Sequence, residues 1–129
     1  MAQFLVDTQI ILWLANEPGK VSDKCYEVIL NNRNELLLSY ASVWELSIKL
    51  NINKLRLDLP LNDFILKETE KHELILSPVS LLSIYYCQSL PLIHRDPFDR
   101  IIAAQSILEE IPLISSDKIF DDYNVQRIW

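Results

Sequence analysis

Apolar residues recur along this chain in two rhythms. Short, nearly unbroken runs occur at "QFLVD", "ELLLSY", "LILSPV", "IPLISSD" and "VQRIW". Between them, apolar positions return every three or four residues in "TQIILWLAN", "SDKCYEVILNN", "SVWELSIKLNI", "LPLNDFILKETEKH", "SLLSIYYCQSL" and "PFDRIIAAQSILEE". Unbroken apolar runs mark strands covered on both faces, and the longer spaced patterns mark amphipathic helices. Strands and helices alternate from end to end. That order predicts the α/β class, as a three-layer α/β/α sandwich around a mainly parallel sheet.

Local chemistry agrees with these boundaries. Ser22 stands where it caps the second helix, Pro60 opens another, and Pro91 ends the helix before it. Glu45 and Lys49 are in the favourable i,i+4 order. In "HRDPFDRII", Pro97 suits the first helical position, where a missing N–H removes nothing. That makes Asp96 the N-cap and leaves Asp99 in the first turn, with the cap already supplied.

Composition narrows the reading. We expect residues 1–129 to form one domain, long enough to bury about two-thirds of its unfolded surface. There is no repeat or low-complexity segment. The one glycine, Gly19, excludes a Walker loop and a GxGxxG turn, which need several. Cys25 and Cys87 form no CxxC pair, so two free thiols are expected rather than a disulfide framework or a zinc knuckle. The first residues carry no basic leader and no stretch approaches the ~18 apolar residues of a membrane span. We therefore expect a cytoplasmic protein with no membrane contact. The net charge of −6 does not advertise a nucleic-acid binder. Acids that hold a cation would still allow a phosphate to bind.

Four acids stand where sites form in parallel sheets, at the carboxyl ends of strands or in the helix turns that follow. They are Asp7, Glu45, Asp99 and Asp117. Each has a purely structural role open to it. Asp7 would cap the helix after it, Glu45 would complete a capping box with Ser42, and Asp117 would sit in a turn. Together the four are harder to explain in that way. Converging carboxylates repel, and clustering them is costly without a cation. Oxygen ligands suit Mg²⁺ or Mn²⁺ rather than zinc. Of the two histidines, His72 lies in the charged run "KETEKHE" and is read as solvated. His94, before the last long helix, is read as a solvated loop residue or as one facing a substrate. Trp13 and Trp44 are read as core or as walls of a groove.

The stretches "FLVDTQIILWLA", "ASVWELSIKL", "HRDPFDRIIAAQS" and "LISSDKIFDDYNV" resemble, in order and over nearly the whole chain, those of PIN domains. More narrowly, they resemble the VapC-type toxins of bacterial toxin–antitoxin pairs. The resemblance implies that Asp7, Glu45 and Asp99 are metal-site acids. It makes Asp117 a more variable fourth, and Thr8 a hydroxyl beside the first acid. Ser115 or Ser116 stands where a threonine is common. Asp96 belongs to the recurring Asp-Pro-Phe-Asp pattern. The implied function is a Mg²⁺- or Mn²⁺-dependent endoribonuclease, with an RNA substrate, a cognate antitoxin and a homodimeric state. Lys49, Arg95 and Arg100 are then candidates to contact the RNA backbone, though each also reads as a surface charge. Two other functions compete. One is a PIN-fold module that binds RNA or protein without cutting it. The other is a different Mg²⁺-dependent phosphotransfer protein. A receiver domain or a haloacid-dehalogenase-type phosphatase fits poorly, because Asp7 is followed by Thr8 and Gln9 rather than by a second acid.

Overall fold

The computed structural model describes residues 2–129. Five strands form one sheet, β1 (Gln3–Val6), β2 (Glu35–Ser39), β3 (Leu74–Ser77), β4 (Leu113–Ile114) and β5 (Arg127–Ile128). Six helices connect and cover them: α1 (Thr8–Asn16), α2 (Asp23–Leu30), α3 (Tyr40–Asn51), α4 (Leu61–His72), α5 (Leu81–Cys87) and α6 (Pro97–Leu108). The strand order is β3-β2-β1-β4-β5, and every neighbouring pair is parallel. The expected α/β/α sandwich is the fold observed.

Alternation along the strands builds the two cores. Val6, Leu36, Leu38 and Ile114 face one side, where α1, α2 and α4 cover them through residues such as Ile10, Ile11, Leu14, Cys25, Ile29, Phe64 and Ile65. Leu5, Leu37 and Leu113 face the other, under Ile102, Ala103 and Ala104 of α6 and under Phe120 and Tyr123. A parallel strand must bury both faces, which is why these strands carry apolar residues at consecutive positions.

The chain runs from β1 outward to β2 and β3, then returns to the other side of β1 for β4 and β5. The connection therefore reverses direction between β1 and β4. In open parallel sheets such a reversal leaves a crevice at the carboxyl ends of the two strands. Asp7 directly follows β1 and Ser115 directly follows β4.

Four local expectations need correction. The helix α3 begins at Tyr40, two residues early, because the Ser39 hydroxyl accepts from the Ala41 N–H and takes the N-cap. Ser42 is thus inside the helix, Glu45 lies in its second turn, and there is no Ser42–Glu45 capping box. The helix α5 ends at Cys87, well before Pro91. The strand β4 is only two residues long, and the chain beyond it turns into a 3-10 segment, Lys118–Asp122, capped by Asp117. His72 is not solvated. It shares the inward stripe of α4 with Glu68 and Phe64, four and eight residues back, and lies 3.3 Å from the Glu68 carboxylate.

Both thiols are free, Cys25 buried and Cys87 half-buried. No helix among the described residues is long and apolar enough to cross a membrane.

Candidate active site

The site is assembled around Asp7, which is 8% exposed. Its position as N-cap of α1 aims the carboxylate back over the strand ends. One oxygen, Oδ1, accepts from the Thr8 N–H at 2.8 Å. The other, Oδ2, accepts from the Ser115 hydroxyl at 2.7 Å. Ser115 rather than Ser116 is therefore the hydroxyl that serves the first acid. The Asp7 N–H bonds the Ile114 carbonyl at 3.0 Å, so the sheet itself fixes the approach. Arg127 holds the Ser115 carbonyl at 3.1 Å while its guanidinium grips Asp121 at 2.8 and 2.9 Å.

Glu45 enters from α3, also 8% exposed. The Thr8 hydroxyl oxygen lies 2.8 Å from both Glu45 Oε1 and the Ser42 hydroxyl. A hydroxyl has one proton and two lone pairs. Donation from Thr8 to the carboxylate and from Ser42 to Thr8 satisfies all three groups. The other carboxylate oxygen, Oε2, pairs with Lys49 Nζ at 2.9 Å. Thus Thr8, the residue after Asp7, links the two acids through a side chain.

Asp99 comes from the first turn of α6. Asp96 is the N-cap, accepting from the Phe98 N–H at 2.9 Å and the Asp99 N–H at 3.3 Å. Asp99 Oδ2 lies 2.9 Å from His94 Nε2. Side chains at both ends of α6 keep the helix in place. Gln105, fully buried, accepts from the Ser39 hydroxyl and donates to the Pro78 carbonyl. Arg100 donates to the carbonyls of Cys87 and Pro91 at 2.8 Å each, and more weakly to those of Leu90 and His94. Arg100 is therefore not a free cation for RNA. Its guanidinium collects carbonyls from the end of α5 and the segment after it, and so pins the segment that carries His94.

The electrostatics show how far these acids feel one another. Burial raises the Asp7 carboxyl from its ordinary value of 3.8 to about 6, against the lowering pull of the Ser115 and Thr8 hydrogen bonds; Glu45 and Asp117 push it further up. Burial also raises Asp99 to about 7, with repulsion from Asp96 and Asp7 added and the His94 contact opposing. Both carboxylates are thus short of positive charge. Asp117 is exposed and caps the 3-10 segment through a 3.0 Å bond from the Ile119 N–H.

All four expected acids therefore gather at the crevice, but not as one tight cluster. Among the described residues, the trio whose ligand atoms all lie within 4.8 Å of one another is His94, Asp96 and Asp99. The sequence reading left His94 between a solvated loop and the site, and the structure puts it beside Asp99. Arg127 escaped the sequence reading, and Ser42 was read only as a helix cap. A hydroxyl one turn inside a helix and an arginine near the last strand carry no local signal of a role here.

No curated protein matched the chain in sequence. Solved structures do match its fold. The VapBC2 complex of Rickettsia felis, bound to a DNA fragment from its promoter, superposes with a TM-score of 0.73 at 16% identity, covering 98% of this chain and 97% of that one. The DNA-bound VapBC complex of Salmonella typhimurium gives 0.68 at 16% identity, covering 100% and 98%. FitAcB of Neisseria gonorrhoeae gives 0.64 at 17% identity, covering 98% and 96%. At these identities the likeness is one of fold. The PIN domain family itself matches residues 4–126, which take in β1 from Phe4, β2, β3, β4 and all four acids. A match over nearly the whole chain, on the parallel sheet described above, makes this protein a member of the PIN domain family.

Proposed function

We propose that this PIN domain is an endoribonuclease that cuts RNA phosphodiester bonds with Mg²⁺ or Mn²⁺, and that it is the toxin of a toxin–antitoxin pair. The observation that carries the reading is the pairing of Asp7 with Asp99 at the crevice. Asp7 is buried and Asp99 partly so; Glu45 and Asp117 press on the first, and Asp96 and Asp7 on the second. A divalent cation fits this donor set. Carboxylate oxygens dominate it, as hard cations require, and bound charge would relieve the repulsion.

Asp7 and Asp99 would be the principal ligands. Glu45 and Asp117 would complete the set, Glu45 once Lys49 swings aside and Asp117 from the exposed rim. When bound, the cation would supply charge neutralisation at the phosphate and acidify an attacking water. The chain's own residues do the positioning. Ser115 and the Thr8 N–H fix both oxygens of Asp7. Thr8 and Ser42 orient Glu45 toward the same space. His94 holds Asp99 from the side opposite its helix. Such outer partners set the geometry and basicity of a ligand. Arg95 and Lys118 are exposed cations flanking Asp96 and Asp117, with no acid within ion-pairing distance among the described residues.

The toxin part of the reading draws on the resemblance to VapBC complexes, in which a toxin is held by its antitoxin. We expect the same arrangement here: a cytoplasmic homodimer that binds a small antitoxin whose basic segment reaches Asp7 or Asp99.

The test is direct. Purified protein should cut structured RNA in Mg²⁺ or Mn²⁺, stop in EDTA, and leave a small phosphate ester untouched. RNA left whole under every metal condition sinks the nuclease. Hydrolysis of the small ester alone favours the phosphotransfer alternative. A neighbouring reading frame whose product neither binds the protein nor relieves growth arrest removes the toxin role and leaves the nuclease standing.

A further inference from the structure

Asp7 and Asp99 face the crevice short of positive charge, but Glu45 has a cation of its own. Lys49 Nζ lies 2.9 Å from Glu45 Oε2. Among the described residues, no other lysine or arginine is paired with one of the four crevice acids. The pair is lopsided. The Glu45 side chain is 10% exposed and the Lys49 side chain 41%. Glu45 is also held on its other oxygen by the Thr8 hydroxyl, which Ser42 holds in turn. One partner is therefore fixed, and the other is free to leave.

The helix aims this lysine at the crevice. Side chains on a helix lean toward its N-terminus and meet those four residues back. The N-terminus of α3 follows directly on the end of β2, so Lys49, in the last turn, reaches back toward the acids. Its ammonium stands beside Oε2, where a divalent cation held by Glu45 would also have to stand. Two cations that close repel. A compact ammonium with three donors on a flexible stem can give up one acceptor and take another. The acceptor that arrives at a loaded site is the RNA phosphate. A purely structural role is also open to Lys49, because a basic residue in a last turn suits the helix dipole and an i,i+4 pair supports the helix. That role would be the same with the site empty or loaded.

We propose that Lys49 changes partner with the state of the site: it holds the cation's place on Glu45 when the site is empty, and contacts the RNA phosphate when the site is loaded. The assignment rests on the ribonuclease reading and adds to it a resident competitor for the metal. The residue that lowers cation affinity is then the one that raises affinity for the substrate. Metal loading and RNA binding are linked through one ammonium, and each favours the other.

Binding separates this proposal from the nuclease reading. Calorimetric titration of the full chain with Mn²⁺ alone should give an affinity about 2- to 5-fold higher in Lys49→Met than in wild type, the strength of a partly exposed ion pair. Lys49→Arg, whose planar fork grips a carboxylate at two points, should bind Mn²⁺ more weakly than wild type. In a Glu45→Gln background most of the gain from Lys49→Met should vanish, because the competition runs through Glu45. Toward RNA the sign should reverse. With a short labelled RNA in Ca²⁺, fluorescence anisotropy should show weaker binding by Lys49→Met and a salt dependence shallower by about 0.7 in slope, and in EDTA the two proteins should be alike. Lys49→Met should also melt below wild type in EDTA and gain more from Mn²⁺. A loss of Mn²⁺ affinity in Lys49→Met overturns the proposal, because Lys49 then only steadies Glu45 for the metal. Equal Mn²⁺ affinity overturns it too, as does RNA binding in Ca²⁺ that is indifferent to Lys49. If the protein cuts no RNA but both shifts appear, the nuclease reading fails and the exchange stands. If it cuts RNA and neither shift appears, the exchange fails and the nuclease stands.

Discussion

Asp7 and Glu68 are both withdrawn from solvent, at 8% and 2% exposure, and they differ in everything around them. Asp7 stands where the sheet reverses direction. Each of its oxygens has a donor, and two further acids press on it. Glu68 stands mid-helix on α4 with only His72 for company. Its Oε2 and His72 Nε2 are 3.3 Å apart but out of hydrogen-bonding geometry, and both are unsatisfied. Burial lowers the pKa of His72, working against Glu68, so the imidazole is a poor counter-charge. A buried carboxylate is therefore not in itself a site. What marks Asp7 is convergence, of strand ends, hydroxyl donors and other acids, at one place in the topology.

The sharpest way to break the comparison is to neutralise each acid in turn. Asp7→Asn and Asp99→Asn should each lower RNA cleavage by more than about 100-fold with the fold intact, since each keeps shape and loses ligand charge. Glu68→Gln should cut at the wild-type rate. Wild-type cleavage by Asp99→Asn would move the site elsewhere.

Stability should separate the two regions next. Folded Asp7 and Asp99 hold protons more tightly than the unfolded chain, whose carboxyls titrate near 3.8. Between that value and about 7 the folded state binds more protons, so metal-free stability should fall as pH rises through this window and level off above it. The total is on the order of a few kcal/mol. Mn²⁺ should restore it, more at pH above the window than below. In EDTA at neutral pH, Asp99→Asn should melt higher than wild type and respond less to Mn²⁺. Melting curves with the opposite slope would mean that the carboxylates are already compensated.

Ser115→Ala tests the wiring rather than the acid. It removes the donor to Asp7 Oδ2, and metal affinity or cleavage should drop about 10- to 100-fold, with recovery in Ser115→Thr. The smallest effect is expected at the other region. Glu68→Gln should raise stability by about 1 kcal/mol, because a neutral amide can donate to His72 and no charge remains buried. Destabilisation there would show that Glu68 has a partner this geometry does not account for.

The hydrophobic rhythm of the sequence was enough to order the strands and helices, because parallel strands announce themselves as solid apolar runs. Caps were legible where a single candidate stood at the boundary, as at Ser22 and Asp96. At α3 two serines competed, and the strand end decided for Ser39, so Glu45 was assigned to the wrong turn. The acids of the crevice were legible because they follow strands or open helices. Their supports were not. Arg100 spends its charge on carbonyls of a preceding loop, His94 turns back on its own helix, and Arg127 acts through Ser115. Each depends on chain reversals that no local spacing encodes. His72 was misread for a similar reason, since a charged run hid the i,i+4 stripe that carries it inward.

The bond between Ser115 and Asp7 spans 108 positions of chain, and the Arg127 that steadies it lies further on. Long-range contacts of this kind form after local ones, once the intervening loop has closed. Synthesis delivers Asp7 well before Ser115 and Arg127. The partner that orients it arrives only with the last strands. Until then the early acids sit on a partial sheet with no β4 beside β1, no Ser115 hydroxyl and no crevice. A crevice built at the seam between β1 and the later strands β4 and β5 is thus closed only once those strands are in place, and a chain that stops before them lacks it.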